Sequence, residues 1–233
     1  MKMNTVNLHR NRHLLFEDYE RIKTKMSTDI KSVKECIFSR HSTRNYAPDV
    51  SVPEDKLHEI LNAGLQAPSP KNSQPWFYYI IEEREKIVEV SEIMKKTITE
   101  MIAQEENLEV PKNKLTSALE TAQIISSASV LLIVCYEKKN SLNNSEGAFV
   151  KDMSFSESEM VDCISIGASV QNMLLMAESL GIDSLWVADI LFAQEEVSKY
   201  LKIKHRMISA VLLGKAAKSL RYRKSIAEKV KWI

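Results

Sequence analysis

The middle of the chain contains the stretch that decides the fold, DCISIGASVQNMLLMAESLGIDSLWV, residues 162–187. Its apolar residues surround much of the helix that the spacing predicts over residues 158–180, so this helix must be buried on several sides. Gly181 is a favoured C-terminal cap, and a short strand is predicted over residues 184–188. The pattern predicts a central buried helix, and it leaves open whether one domain or a dimer interface covers it.

Further helices and strands are predicted on both sides of this stretch. The first helix is expected to be capped near Asp29 and to carry Ile30, Val33 and Ile37 on one face. Proline is favoured in the first turn of a helix, so a second helix is expected to open at Pro53. The remaining helices are predicted over residues 84–104, 113–127 and 194–201, and the remaining strands over residues 76–81, 129–136 and 207–213.

The strands are mostly apolar throughout, which is typical of a sheet covered on both faces. Together with the order of the elements, this predicts an α+β layered fold over residues 30–233. Residues 1–29 are polar and weakly periodic, and we expect them to form an N-terminal arm outside the core. Because no repeat or internal linker divides the rest of the chain, a single domain is expected behind this arm.

Composition excludes several classes of partner. The chain has a formal net charge of +1 over 233 residues, so no long-range field gathers nucleic acid or a membrane surface. Cys36, Cys135 and Cys163 form no CxxC pair, which favours reduced thiols in the cytoplasm over a disulfide frame or a metal site. The first residues contain no apolar run typical of a signal peptide. We therefore expect a soluble, cytoplasmic protein without metal, nucleic acid or membrane partners.

Glycine usage limits how a phosphate could be bound. Only five glycines occur, and each is isolated from the others. Neither GxGxxG nor GxxxxGK[ST] can be built from them, so any phosphate must be held by side chains or by non-glycine backbone. The patterns HExxH, GxSxG and the EF-hand loop are also missing. Several hydrolase, metalloprotease and nucleotide-binding classes are thereby excluded.

Three short segments outside the predicted helices concentrate functional residue types. They are RHSTR at residues 40–44, APSPKNSQPW at residues 67–76 and RYRK at residues 221–224. Arginine grips a phosphate with two parallel charged hydrogen bonds, and a hydroxyl such as that of Ser42 adds a further donor. Solvated basic loops with no ligand would give the same letters. The residues alone therefore indicate either an anion site or an ordinary surface.

In order and spacing, four segments resemble the nitroreductase family. RHSTRNY is similar to the family's opening signature, and APSPKNSQPWFYYII resembles its second signature, a turn with Gln-Pro-Trp leading into a strand. Residues 162–187 look like its central helix and following strand. MISAVLLGKAAKSLRYRK is similar to its last core strand and arginine-bearing tail. The resemblance covers about residues 30–229.

The resemblance implies a nitroreductase-like layered fold, in which helices flank a mainly antiparallel central sheet. It also implies a domain-swapped homodimer with one FMN at each of two interface sites. By the matching positions, Arg40 and Arg223 would hold the FMN phosphate, assisted by Ser42 and Arg221, and His41 would contribute through its backbone. Arg44 would lie against the N1/O2 edge of the ring. Residues of the second signature would line the ring or ribityl chain, from the other subunit: Pro68, Ser69 and Asn72.

The chain departs from the family pattern after the strand that presents a backbone N–H to flavin N5. A glycine, alone or after a glutamate, is common there, and this chain has Ala188 and Asp189. A carboxylate near N5 would disfavour the reduced ring unless it points away. Residues 121–127 offer no clear counterpart to a polar contact that many members supply before the second strand. These departures leave the identity of the electron acceptor open.

The activity implied is hydride transfer from NAD(P)H through FMN to nitroaromatics, quinones or similar flat, small-molecule acceptors, in alternating half-reactions. The chemistry would take place on FMN, so no catalytic nucleophile or acid–base pair is required. Two alternatives remain within the same fold: a flavin reductase or reductive dehalogenase, and a flavin-binding protein without NAD(P)H turnover.

Overall fold

The computed structural model of the chain describes residues 31–47, 50–104, 110–137 and 156–217. The N-terminal arm predicted over residues 1–29 lies outside these ranges, and so do Arg221 and Arg223. The domain boundary at residue 30 therefore stays a prediction. All other predicted site residues fall within the described chain.

The sheet of the described chain has four strands in the order β1-β2-β4-β3, and every neighbouring pair is antiparallel. Strand β2 is buried along its whole length, because helices cover both faces of the sheet. The predicted α+β layers are thereby confirmed. The strands are β1 Trp76–Ile81, β2 Val130–Tyr136, β3 Asp183–Val187 and β4 Arg206–Gly214.

The helices of the described chain agree with the predicted positions to within a few residues. They are α1 Val33–Ser39, α2 Glu54–Leu65, α3 Arg84–Ala103, α4 Lys112–Ile125, α5 Glu157–Ser179 and α6 Gln194–Leu201. One apolar core lies between the sheet and α3, α4 and α6. The other lies between the opposite face of the sheet and α2 and α5.

The central helix α5 begins with a capping box, in which Ser156 and Glu159 bond each other's backbone N–H groups. It ends before Gly181, whose φ of 70° is the left-handed conformation that favours glycine. Its core-facing stripe is fully buried against the sheet and α2: Ile166, Val170, Met173 and Ala177. Its first turns are different, because Met160, Val161 and Ile164 stay exposed on the protomer.

Within the described chain, the part of α5 from Glu159 to Ser179 is the helix long and apolar enough to cross a membrane by length and composition. Core helices of soluble proteins have the same composition. Here one apolar stripe of the helix packs against the sheet and α2.

Helix α1 differs from its prediction at both its start and its apolar face. Its N-cap is Ser32, not a residue near Asp29, because Ser32 and Glu35 form a second capping box. The side turned toward the protein carries Cys36, which is 3% exposed. Val33 and Ile37 lie on the outer side and are 71% and 54% exposed. The expected apolar face therefore exists, but it is not buried within the protomer.

Candidate functional site

The segment of residues 42–47 lies between strand β3 and the chain leaving strand β4. Thr43 N–H donates to Ser184 O at 3.0 Å, and Ser42 and Ser184 form an isolated parallel bridge. On the other side, Ala217 N–H donates to Asn45 O at 2.9 Å, with a second bond from Ala47 N–H to Lys215 O at 2.8 Å. The sheet edge therefore fixes the backbone that carries the predicted arginines.

The buried side chain of Tyr46 holds this segment against strand β4. Its side chain is 2% exposed, and its hydroxyl donates to Leu212 O at 3.4 Å. Burial raises the pKa of Tyr46 far above its ordinary value, so the hydroxyl stays protonated and can donate. A Cβ at Gly214 would lie 2.8 Å from Tyr46 Cδ1, which is too close. The lack of a side chain at Gly214 therefore leaves the space that the Tyr46 ring occupies.

A buried carboxylate fixes the end of α1, where the arginine segment begins. Glu178, near the end of α5, is 7% exposed and accepts from Ser39 Oγ and from Lys31 Nζ, the latter at 2.6 Å. Lys31 precedes α1 and Ser39 is its last residue. A carboxylate held away from water needs such donors to stay ionised. Glu178 therefore sets the position from which Arg40 follows.

Arg40, His41 and Ser42, which are predicted to bind the phosphate, are consecutive at the start of the arginine segment, residues 40–44. Arg40, His41 and Ser42 are half-buried, and Arg44 is exposed, with its Nη1 donating to Ser42 O at 3.3 Å. The His41 ring nitrogens lie near Ser39 O at 3.3 Å and Thr43 Oγ1 at 3.5 Å. Both ring nitrogens of His41 therefore have local partners, and its backbone role toward a phosphate stays a prediction.

The second predicted segment, residues 67–76, contains a tight loop with backbone strain and includes the predicted site residues Pro68, Ser69 and Asn72. Lys71, Asn72 and Gln74 have φ of 52°, 55° and 47°, a region that L-residues other than glycine seldom adopt. The Ser69 hydroxyl accepts from Gln74 N–H at 2.9 Å. Such strain persists only where the surroundings impose it, and it concentrates at binding sites.

The loop contacts the first turns of α5, whereas the arginine segment begins beside its last turns. The structure therefore does not bring the two segments together. Ser73 Oγ donates to Asp162 Oδ1 at 3.4 Å, and Tyr136 donates to the other oxygen at 3.3 Å. Burial, followed by the charge of Asp162, raises the pKa of Tyr136 to about 12, so it remains a donor. Asp162 and Glu178 are 16 residues apart on α5, which is about 24 Å along the axis.

Ala188 and Asp189 follow the carboxyl end of strand β3, four and five residues after Ser184, with which the arginine segment pairs. Ala188 is exposed, and Asp189 opens a short 3-10 turn, Asp189–Ala193. The Asp189 carboxylate accepts from Thr121 Oγ1 of α4 at 2.6 Å. The carboxylate is therefore directed toward α4. Sequence reasoning found no role for Thr121, because 68 positions separate it from Asp189.

Sheet and site together define a class of protein: an α+β fold with an arginine-bearing segment paired to the edge strand of its sheet. The family model described as "Nitroreductase family" matches residues 37–215. That match covers more than half of the sequence, so the chain belongs to the nitroreductase family, a family of oxidoreductases.

Two curated relatives are similar to much of the chain. A protein of Archaeoglobus fulgidus, provisionally named NADH dehydrogenase/NAD(P)H nitroreductase, is 28% identical over 73% of this chain and 75% of its own length. A protein of Methanothermobacter thermautotrophicus with the same provisional name is 27% identical over 66% of this chain and 59% of its own length.

Solved structures share the fold at low identity. A BluB-like flavoprotein from Clostridium difficile is 21% identical, with a TM-score of 0.67 over 87% of this chain and 99% of that chain. A nitroreductase with bound FMN from Bacteroides fragilis is 23% identical, with a TM-score of 0.65 over the same shares. At these identities the likeness establishes the fold.

Proposed function

We propose that the chain is an FMN-dependent oxidoreductase that takes a hydride from NAD(P)H and passes it to nitroaromatic, quinone or similar flat acceptors. One observation carries the proposal: residues 42 and 43 are bonded to Ser184 near the start of strand β3, and Ala188 and Asp189 follow the carboxyl end of the same strand. Cationic and hydroxyl donors thereby lie toward one end of the strand, and an exposed backbone turn lies at its other end. This is the arrangement that a phosphate joined to a flat ring requires.

The donor set fits FMN. FMN ends in one phosphate, which arginines and a hydroxyl can hold without a glycine loop, and Arg40 and Ser42 supply them on this side. The described chain leaves the sheet at Ala217, whose N–H is bonded to Asn45 O. Arg221 follows only four residues later in the sequence. In sequence, the second arginine segment therefore begins four residues after a backbone N–H that is bonded next to the first segment.

Each residue of the site has a specific task in this proposal. FMN, when bound, supplies the ring chemistry that accepts and delivers the hydride. Arg40, Ser42 and Arg223 would hold its phosphate, with Arg221 and the His41 backbone assisting. The positive charge of Arg44 favours the negative charge that reduction adds at the N1/O2 edge.

The turn after strand β3 has the complementary task. Ala188 would offer its backbone N–H toward N5, and Asp189 is kept from that position by its hydrogen bond to Thr121. The carboxylate would then cost the reduced ring little, because its charge is directed at α4. No side-chain nucleophile or general base is needed for this reaction.

We also propose that the protein works as a homodimer in the cytoplasm. Large apolar side chains are exposed on α1 and, separately, on the first turns of α5, and exposed apolar patches mark interfaces. A second copy could bring its strained loop, with Pro68, Ser69 and Asn72, to the arginine segment of the first. The exposed residues are Val33, Ile37, Phe38, Met160, Val161 and Ile164.

A second candidate function is flavin binding without turnover, since Asp189 is unusual for a site that stabilises a reduced ring. The decisive experiment is anaerobic stopped-flow mixing of the purified yellow protein with NADH and with NADPH, after the released flavin has been identified by mass. Rapid bleaching supports the enzyme. Bound FMN that neither nucleotide reduces supports the binding protein, and a colourless protein that does not take up FMN contradicts both. Assays across acceptors then separate a nitroreductase from a flavin reductase or a dehalogenase.

A further inference from the structure

Trp186 is a large aromatic residue that the proposed chemistry has not used. It lies near the end of strand β3 and is 44% exposed, although its neighbours Leu185 and Val187 are almost fully buried. We infer that the Trp186 indole is an aromatic platform for one face of the flavin ring. This inference rests on the proposed function and adds to it a residue that orients the ring.

The indole is held in a fixed position. Its Nε1 donates to Ser209 Oγ at 2.8 Å, and Ser209 is 2% exposed. At the other end of the ring system, Cη2 lies 3.7 Å from the position a Cβ would take at Gly167 of α5. A surface tryptophan would ordinarily sample several rotamers. Here the buried hydroxyl and the bare helix backbone hold one orientation and leave the outer ring face open.

Strand register places this open face at the candidate site. Val187 pairs with Ala210, so Ser209 lies opposite the position that follows Val187, and the indole leans toward the carboxyl end of β3. Side chains two apart share one face of a strand, so Trp186 lies on the same face as Ser184. Ser184 pairs with Ser42, and Ala188 follows at the other end. Trp186 is therefore located between the phosphate segment and the turn proposed for N5.

The chemistry of the side chain suits a flat heteroaromatic ring. Offset stacking of aromatic systems adds about 0.5–1.5 kcal/mol beyond the area buried. An apolar ring against one face also excludes water there and leaves the other face for hydride donor and acceptor. Because the indole N–H is already bonded to Ser209, stacking leaves no buried donor without a partner.

The test compares FMN bound to the parent, to Trp186→Phe and to Trp186→Leu. An indole in contact with excited flavin donates an electron to it and quenches its emission, whereas phenylalanine does not. Flavin emission per bound FMN should therefore rise several-fold in Trp186→Phe, with a longer lifetime. Trp186→Leu should raise the dissociation constant about threefold to tenfold. Circular dichroism of the variants checks that they fold as the parent does.

The matched control is Trp76→Phe. Trp76 is 5% exposed in the core, and its Nε1 has no hydrogen-bond partner within the described part of the chain. Its replacement should leave the emission of bound flavin unchanged. Equal emission from the parent and Trp186→Phe, with FMN bound to both, overturns the platform and leaves the proposed function intact. A Trp186→Phe variant that becomes monomeric with unchanged flavin emission assigns Trp186 to the subunit interface and also overturns it. A parent that binds no FMN refutes the proposed function itself.

Discussion

Thr121→Val tests whether the Thr121 hydroxyl keeps the Asp189 charge away from the flavin. Valine has the shape of threonine but cannot donate, so the Asp189 carboxylate loses its 2.6 Å bond. The freed side chain can swing by a few ångströms toward the turn that adjoins the site. For a unit charge that moves from about 10 to about 6 Å from the ring, at an effective dielectric of about 20, the interaction energy changes by about 1.1 kcal/mol. For a two-electron couple this lowers the midpoint potential by about 25 mV.

The assay is equilibrium reduction of the flavin-saturated protein against a reference dye. Thr116→Val is the matched control, because Thr116 lies on the same helix and also bonds a backbone carbonyl four residues earlier, but bonds no carboxylate within the described residues. Adding Asp189→Asn to Thr121→Val should raise the potential to that of the parent or above it, because the charge is then absent altogether. A Thr121→Val potential equal to those of the parent and Thr116→Val would refute the reasoning.

Three further predictions follow from other parts of the structure. Arg40→Ala removes charged hydrogen bonds to the phosphate and should weaken FMN binding about tenfold to a hundredfold in equilibrium dialysis. The control is Lys34→Ala, which removes an exposed charge on α1, and an equal loss of affinity in both variants would contradict the assignment of Arg40. Gly64→Ala should lower the free energy of unfolding in urea by about 1–3 kcal/mol, because its Cβ would lie 2.8 Å from a core methionine. Gly167→Ala, with its nearest contact at 3.7 Å, should be neutral or stabilising, and equal effects of the two would show that packing is not the cause. Ile164→Asp, at a position 68% exposed, should give a folded monomer in analytical ultracentrifugation with weakened FMN binding; an unchanged dimer would remove α5 from the interface.

The dimer prediction also shows which part of α5 the sequence could not resolve. In the sequence, Val170, Met173 and Ile164 are all apolar residues of the same helix. In the structure Val170 and Met173 are fully buried, whereas Ile164 is exposed. An aspartate at Val170 would therefore unfold the protomer instead of separating subunits. Which apolar side of a helix faces its own sheet depends on the packing of distant elements, and one sequence does not contain that information.

Helix ends and strands that depend only on neighbouring residues can be predicted from the sequence. Gly181 ends α5, Pro53 precedes α2, and the apolar runs became the predicted strands. The cap at Ser32 was also readable, since Ser32 and Glu35 have the spacing of a capping box, and the prediction of a cap near Asp29 missed it.

Contacts at the site between residues far apart in the sequence cannot be predicted from local patterns. Ser39 and Glu178 are 139 positions apart, and Thr121 and Asp189 are 68 apart. The family resemblance placed the residues that would touch FMN. It did not place the residues that fix them in position, because those depend on how this particular chain packs.

The pairing of residues 42–47 has a consequence for the order in which the protein is made. These residues emerge early from the ribosome, but their partners are Ser184 and residues 215–217, which emerge more than 130 residues later. Until then the Thr43 and Ala47 N–H groups have no strand to pair with, and loop closure over such a length is slow. The arginine segment is therefore among the last parts to take shape. A nascent chain that stalls before Lys215 would contain every residue of this segment and still be unable to present it to a ligand.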